Sequence, residues 1–513
     1  LPTGGGNLIT TTGATFTGNI ATAGISAVTA GTSNFVAGVN AGNSIESGGD
    51  YNTVVGDEAG TAITTGIANV VLGNNSLSSN TTGGYNVVAG QAAMRDNTTG
   101  ANNSAFGHNA LKSNTTASSN TAVGSNALFA NTTGTRNTAV GDNSLVANTT
   151  GNYNVAMGYN ALDANTTGTH NTSIGDSSMS TNTTGIKNIA VGQAALANNT
   201  TGENNVAVGV DTLAGNTTGN HNTASGFSAL GANTTGINNT AVGRIALAAN
   251  TTANGNTSVG SSSMYSNTTG ASNTAVGMNA LVNNTTASSN TAIGNNSLEA
   301  NTTAVANTGI GTNSGLANTT GANNTFVGMN AGNYINPNTT GNENTFLGSY
   351  THGTSASVGG AIVIGHGVQG AGEYTTIGYS STDIRAAHGV ASWATVSDER
   401  YKKDIATSTA GLSFINDLTP RTWNYKTLGE LPETFNAYEA DSTEVFKNTQ
   451  TNHGFIAQEV KAVIDNHSEI KDGFRLWDDR EDGSQEVAEA ALIPVLVKAI
   501  QELSARIEVL EGE

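Results

Sequence analysis

A glycine recurs every seventeen residues along most of this chain. Seventeen such glycines, from Gly56 to Gly328, are separated by sixteen equal intervals. An asparagine precedes each of them by four residues, from Asn52 to Asn324, and a leucine or methionine follows by four residues from Leu77 to Leu298. A second asparagine opens an Asn-Thr-Thr triplet in every repeat from Asn80 to Asn318. A period this strict predicts a rod built from stacked rungs.

The repeat is too short for a pair of helices and too rich in glycine and β-branched residues for one helix. It therefore predicts short strands joined by tight turns, each burying about two side chains. We expect one of the two to be the leucine. The other should be the last residue of the Thr-Ala-Val run, as at Val123, Val140, Ile174 and Val191. Asparagines should pair from rung to rung, and the glycine should form a corner with positive φ. Seventeen rungs would span roughly 80 Å.

Composition divides the chain into regions. It has 65 glycines, no cysteine, and a net charge of −19, so disulfides do not hold it together. Residues 1–396 hold 14 acids and 6 bases, a net −8, whereas residues 397–513 hold 23 acids and 12 bases, a net −11. We predict an irregular β segment over 1–50, the rod over 51–348, a distal β segment over 349–396 and a small α/β domain over 397–513. The rhythm breaks at Tyr334-Ile335-Asn336-Pro337, where three extra residues are inserted.

The repeat resembles the head of trimeric autotransporter adhesins, a parallel β-roll whose repeats read N-x-V-A-I-G-x-x-A. The resemblance implies a homotrimer, because one face of each roll in that family is left apolar for its two sister chains. The period of seventeen is longer than in that family. A triple β-helix of interwound chains is the structural alternative.

Three motifs near the C-terminus occur in the order of another family. They are YTTIGYSSTDIRAAHGVASWATVSDERYKKDI at 374–405, HGFIAQEVKAVI at 453–464 and ALIPVLVKAIQELSARIEVLE at 491–511. They resemble the intramolecular chaperone auto-processing domain of phage tail fibres and endosialidases. The resemblance implies a domain that trimerises, directs the folding of the fibre ahead of it, and then cuts itself off.

Carried over to this sequence, the resemblance makes Ser397 the nucleophile, Lys402 its general base and Val396–Ser397 the scissile bond, with Lys403 as the alternative base. A serine hydroxyl is a poor nucleophile until a base removes its proton. A lysine can act as that base only when it is neutral, which requires burial. Without the flanking motifs, SDERYKKD would be interpreted as a charged, solvated turn.

The last helix carries a coiled-coil pattern. Its apolar residues follow a 4-3-4-3 spacing at Leu496, Ile500, Leu503, Ile507 and Leu510. We expect these residues to form a three-helix seam. The alternative is a helix packed against its own domain.

The sequence therefore predicts a homotrimeric phage tail fibre of the extracellular virion tail, assembled in the host cytoplasm. Its expected partners are a host cell-surface glycan or protein receptor and, at its N-terminal end, other tail proteins. No cofactor, metal, nucleic acid or membrane insertion is expected. The distal segment departs from the monotony of the rod, and its candidate receptor-binding residues are Tyr374, Tyr379, Arg385, His388 and Trp393.

Two other functions stay open at this stage. A bacterial surface adhesin would need a C-terminal membrane anchor. A glycan-depolymerising tailspike would need an acidic groove, for which the rod offers scattered carboxylates at Asp57, Glu58, Asp142, Asp163 and Glu203.

Overall fold

The computed structural model describes residues 25–26, 29–389, 394–395, 399, 402–435, 437–468, 470, 476–479 and 484–512. The chain divides into two compact units, residues 1–396 and 397–513. The predicted mainly β rod of 17-residue repeats and the small α/β unit with a C-terminal helix are both confirmed.

The first unit is a solenoid of three-residue parallel strands. Each strand pairs in register with the strand seventeen residues later, so that Thr121 lies beside Thr138 and Val123 beside Val140. The pairing joins one rung to the next within a single chain, as in a β-roll and unlike interwound chains. These strands are β3 Thr53–Val55, β4 Val70–Leu72, β5 Val87–Ala89, β6 Ser104–Phe106, β7 Thr121–Val123, β8 Thr138–Val140, β9 Val155–Met157, β10 Thr172–Ile174, β11 Ile189–Val191, β12 Val206–Val208, β13 Thr223–Ser225, β14 Thr240–Val242, β15 Thr257–Val259, β16 Thr274–Val276, β17 Thr291–Ile293, β18 Thr308–Ile310 and β19 Thr325–Val327.

The stack continues beyond the strict repeat at both ends. Before it, β2 pairs in parallel with β3, and β1 pairs antiparallel with β2. After it, β20, β22 and β24 extend the parallel stack, β24 and β25 form an antiparallel hairpin to which β26 adds, and β21 pairs with β23. Their bounds are β1 Ile25–Ser26, β2 Phe35–Ala37, β20 Thr345–Leu347, β21 His352–Gly353, β22 Ile362–His366, β23 Gln369–Gly370, β24 Tyr374–Tyr379, β25 Thr382–Ala387 and β26 Ala394–Thr395.

In most rungs the strand contributes a small side chain, usually alanine, to the interior. The expectation that Val123, Val140, Ile174 and Val191 point inward was wrong, because the middle strand residue is the buried one. Ala122 is fully buried, whereas Val123 beside it is 37% exposed. Side chains alternate along a strand, and the buried asparagine before each strand fixes which residues face inward. The predicted burial of the leucines, such as Leu128, is confirmed.

Two buried asparagine ladders run through the stack, as predicted. In the first, the backbone N–H of Asn171 donates to the Oδ1 of Asn154 at 3.0 Å, and the Asn171 amide donates to the carbonyl of Gly185 at 2.8 Å. In the second, the amide of Asn148 donates to the Oδ1 of Asn131 at 2.8 Å. Each ladder asparagine bonds within its own rung and also to the asparagine of the neighbouring rung, as the Asn148 amide does to Gly151 and to Asn131. Because the second set of bonds to these buried polar groups is lost in an isolated rung, a rung is stable only within the stack.

The repeating glycine is required twice over. Gly124 has a φ of +135°, as the corner prediction expected, and a Cβ placed on it would lie 2.4 Å from the carbonyl oxygen of Gly141. No other residue combines that conformation with so close an approach of two backbones. The buried leucines of the rod also have positive φ, which is uncommon for a bulky side chain. Leu128, for example, has a φ of +53°.

The second unit packs helices around a small core. Its helices are α1 Leu412–Asp417, α2 Ala457–Asn466 and α3 Ile493–Glu511, with 3₁₀ turns at Leu428–Glu430 and Glu489–Leu492. Its strands form two antiparallel pairs, β27 Arg421–Trp423 with β28 Asn452–Gly454, and β29 Trp477–Asp479 with β30 Gln485–Val487. The core residues are Ala410, Phe414, Val460, Ile464, Leu476, Leu492 and Val495. Within the described residues, no helix is both long and apolar enough to cross a membrane.

Candidate functional site

The candidate cleavage site lies at the start of the second unit. Val396 and Ser397 lie outside the described residues, as does Trp393 of the candidate receptor-binding set. Lys402 is described: its backbone N–H donates to the carbonyl of Glu399 at 2.9 Å, and its side chain is exposed in the single chain.

Helix α3 presents two different faces. Val495 and Ala499 are buried, and the carboxylate of Glu502 accepts a hydrogen bond at 2.9 Å from the backbone N–H of Leu412, at the start of α1. The face with the 4-3-4-3 spacing is solvent-exposed over its whole length, comprising Leu496, Ile500, Leu503, Ile507 and Leu510. The helix is therefore held by its own unit on one side and leaves the predicted seam uncovered on the other.

The rod also leaves an apolar strip uncovered. The third residue of most strands is a valine, isoleucine, leucine, methionine or phenylalanine, and it points away from the core. We call this strip the apolar face; its exposed members include Leu72, Phe106, Val123, Met157, Ile174, Val208, Val242, Val276, Ile293, Ile310, Leu347 and Ile377. Soluble single chains rarely expose a continuous apolar patch of this length, so such a strip marks an interaction surface.

The β24–β25 hairpin carries the candidate receptor residues Tyr374, Tyr379 and Arg385, of which Tyr374 and Arg385 are in contact. Arg385 lies over the ring of Tyr374, 5.3 Å from its centroid, across the two strands. His388 follows the hairpin, and its Nδ1 lies 3.8 Å from a carboxylate oxygen of Glu373. Tyr379, at the end of β24, is 66% exposed.

Tyr379 belongs to a run of four rings that the sequence did not predict to lie together. It stacks on His366 with the centroids 5.1 Å apart; His366 contacts Tyr350 at 5.6 Å, and Tyr350 contacts Tyr334 at 5.1 Å. We call these four side chains the aromatic ladder. Tyr334 belongs to the inserted residues that break the period, so the insertion adds a ring to the ladder. The available signal was the spacing of sixteen residues from Tyr334 to Tyr350 and from Tyr350 to His366.

His352, like His366, has an aromatic ring as its partner. The ring of the buried His352 packs edge-on against Tyr334 at 5.6 Å, and its Nδ1 lies 3.1 Å from the carbonyl oxygen of Tyr350. Over the described part of the chain, no three histidine or carboxylate side chains are grouped as metal ligands would be.

Comparison with known proteins identifies the start of the second unit. Residues 397–469 match the family model described as chaperone of endosialidase. The match begins where the second unit begins and at the predicted nucleophile Ser397. No curated protein and no solved structure shows a significant match to the chain. The chain therefore combines a repeat β-solenoid with a C-terminal chaperone domain, and a chaperone of this kind implies assembly into a homotrimer.

Proposed function

We propose that this chain is a homotrimeric phage tail fibre that attaches the virion to its host cell. Its C-terminal domain aligns three chains, directs the folding of the rod and then releases itself by cleavage before Ser397. The observation that carries the proposal is the chaperone match immediately after a solenoid of near-identical rungs. The mature fibre would be extracellular, part of the virion tail, and joined at its N-terminal end to other tail proteins.

The rod itself supplies the reason for a chaperone. Neighbouring rungs such as β7 and β8 carry the same strand sequence, and the same apolar residue recurs on the exposed face. Two chains that associate one rung out of step would lose contacts only at the ends. Such trimers are kinetic traps, because escape requires the whole interface to separate. A domain that associates first fixes the register before the rungs meet.

Two uncovered surfaces supply the contacts for three chains. One is the apolar face of the rod. The other is the exposed seam of α3 in the second unit, which is also apolar. Helices of this length are marginal alone in water, and an apolar seam is covered by equivalent helices in a coiled coil. We therefore infer that α3 starts the assembly and the apolar face completes it.

Cleavage would follow from that assembly. The Oγ of Ser397 attacks the carbonyl carbon of Val396, while Lys402 accepts the hydroxyl proton and passes it to the leaving amide nitrogen of Ser397. Water then hydrolyses the resulting ester, leaving a carboxylate on Val396. Because the Lys402 side chain is exposed in a single chain, we infer that the catalytic pair is completed only when three chains associate. The rod would then be released only after the trimer has formed.

Receptor contact would involve the aromatic ladder and the β24–β25 hairpin. Tyrosine and histidine rings combine apolar faces with hydrogen-bonding edges, which suits a glycan or a protein surface. Tyr334 is 50% and Tyr379 66% exposed, so both rings are open to a ligand. The receptor is therefore expected at the end of the solenoid nearest the second unit in sequence.

The test of this function is the mass and oligomeric state of full-length protein and of Ser397→Ala. Wild type should yield a fragment ending at Val396 and a released fragment of 117 residues (397–513). Ser397→Ala should stay full length and still form trimers, because only the nucleophile is removed. Ser413→Ala, at another serine of the same unit, is the matched control and should cleave like wild type. Equal cleavage of Ser397→Ala would contradict the assignment, and shortened host polysaccharide chains after incubation would favour a tailspike.

A further inference from the structure

One position of the rung carries an unusual run of side chains. The residue just before each buried asparagine of the first ladder is solvent-exposed in most rungs; it is small or polar in most of them, such as Asn102 or Ser119, and large on isolated rungs at Tyr51, Tyr85 and His221. On four successive rungs it is instead Arg136, Tyr153, His170 and Lys187. We call these four residues the basic column.

The first three side chains of the basic column are in contact. The guanidinium carbon of Arg136 lies 5.2 Å from the Tyr153 ring centroid, and Arg136 also donates to the Tyr153 hydroxyl. Tyr153 in turn stacks on His170 of the next rung, with the ring centroids 4.8 Å apart and the ring planes 16° from parallel. Because the pairs come from consecutive rungs, they form a flat, pre-ordered strip rather than independent surface side chains. Lys187 occupies the same exposed position on the fourth rung.

The backbone at these positions favours other residues. Arg136, Tyr153, His170 and Lys187 have φ values of +57°, +58°, +60° and +56°. Asparagine and glycine tolerate this left-handed conformation best, and rungs elsewhere use Asn102, Asn204, Asn238 and Gly255 at the same position. Tyr51, Tyr85 and His221 share this position and conformation on isolated rungs, so it is the unbroken run of four that sets the basic column apart.

The column is also a local reversal of charge. Residues 1–396 contain 14 acids and only six bases, and two of those six bases, Arg136 and Lys187, lie in this column. Glu203 lies one residue before the same position on the following rung, where it ends the cationic stretch. A positive strip on an acidic rod selects for a negatively charged ligand, because the rest of the surface repels it.

We propose that the basic column binds an anionic polysaccharide laid along the rod. Arg136 and Lys187 would pair with carboxylate or sulfate groups, and the ring faces of Tyr153 and His170 would pack against a sugar ring between them. The four positions span about 14 Å, because neighbouring strands are about 4.8 Å apart. This site is separate from the aromatic ladder and does not depend on self-cleavage.

The experiment measures binding of full-length protein to heparin and to alginate, with dextran as the uncharged probe. Heparin carries sulfate and carboxylate groups and alginate carries carboxylate alone, so the two arms identify the anion. In the test variant Arg136, Tyr153, His170 and Lys187 are all replaced by asparagine. Affinity for the anionic probe should fall about tenfold or more, since charge and stacking are lost together. Control variants Ser119→Asn and Ser289→Asn, at the same rung position, should bind like wild type.

Rebuilding the column elsewhere on the rod distinguishes loss of the four side chains from poor folding of the test variant. The four residues can be rebuilt in the test variant by Gly255→Arg, Ser272→Tyr, Ser289→His and Ala306→Lys, which occupy the same position on four successive rungs. Binding should return, because the solenoid places these residues in the same array. The proposal would be overturned if the test variant bound like wild type, if dextran bound as well as the anionic probes, or if the wild-type protein bound neither anionic probe.

Discussion

At the scale of single residues, the solenoid depends on a few atoms repeated many times. The inward asparagines hydrogen-bond to the rung beside them, and the corner glycines allow two backbones to approach. A defect at one position therefore acts on two rungs. Because each rung contacts only its neighbours, the effect should stay local along the rod.

A glycine substitution tests this dependence. Gly192 has a φ of +133°, and an added Cβ would lie 2.4 Å from the carbonyl oxygen of Gly209. We expect Gly192→Ala to destabilise the neighbouring rungs by about 3 kcal/mol or more, because strain and a backbone clash combine. Limited proteolysis and the thermal unfolding midpoint would measure the effect.

The matched control is another glycine with positive φ. Gly255 has a φ of +67°, but an added Cβ would meet nothing nearer than 3.9 Å. Alanine already occupies this rung position at Ala68 and Ala306. Gly255→Ala should therefore resemble wild type. If both variants behaved alike, the close approach of backbones would not be what requires glycine at position 192.

Much of the rung could be predicted from sequence, and the error has a simple cause. The period, the leucine column, the glycine corner and the asparagine ladders follow from residues that have few alternative roles. Hydrophobicity favoured Val123 over Ala122 for the interior. The structure reverses this choice because Asn120 is itself inward, and alternation then places Ala122 inside. A valine that the sequence assigned to the core instead belongs to the apolar face.

At the scale of elements, α3 packs one face against its own unit and leaves the seam exposed. The end of the solenoid likewise leaves Tyr334 and Tyr379 of the aromatic ladder exposed. The coiled-coil spacing identified the seam of α3 from sequence alone, because it depends on local periodicity. The aromatic ladder could not be predicted in the same way. Its first three rings are sixteen residues apart, which differs from the rod's period of seventeen, and the fourth follows after thirteen, so no single period marks the ladder.

The seam of α3 can be tested by charge. Leu503 is 43% exposed in the single chain, and three copies would meet in a trimer. Leu503→Asp should prevent trimerisation, because burying three carboxylates in place of leucines costs at least about 2 kcal/mol per chain. Light scattering would measure the oligomeric state. The control Gln501→Asp changes an exposed residue that lies outside the seam, so this variant should stay trimeric. A trimer of Leu503→Asp would show that the helix packs only within its own unit.

The aromatic ladder and hairpin can be tested by adsorption to cells that bind the wild-type trimer. Replacing Tyr334, Tyr374 and Tyr379 with alanine should reduce adsorption about tenfold or more, as expected when aromatic anchors are removed from an interface. Tyr265→Ala removes a similarly exposed ring from the rod and should adsorb normally. Heat stability of the trimer should be unchanged in both. Unchanged adsorption in the triple variant would place the receptor contact elsewhere on the fibre.

At the scale of the whole molecule, assembly order is the central question. A protein stopped at Val396 keeps every rung and the apolar face but lacks α3 and the rest of the second unit. We expect it to form monomers or aggregates, because nothing sets the register before the apolar faces meet. The fibre matured from the full-length chain should instead be an SDS-resistant trimer.

Gel electrophoresis without boiling, followed by size-exclusion chromatography, distinguishes these outcomes. The same rod, obtained by self-cleavage of full-length protein, is the control, since its covalent structure is identical. After cleavage the trimer should not re-form once denatured, because its template has been removed. Efficient trimerisation of the shortened protein from denaturant would remove the case for a chaperone.

The strict repeat also has a consequence for inheritance. Each rung is seventeen codons long and its neighbours are nearly the same sequence, so unequal recombination within the gene would add or remove whole rungs in frame. Every such event would change the length of the rod by about 4.8 Å while leaving both ends, and the sites they carry, unaltered. Related strains should therefore differ in fibre length by whole multiples of one rung. The length of the rod would change without any change in the binding sites at its ends.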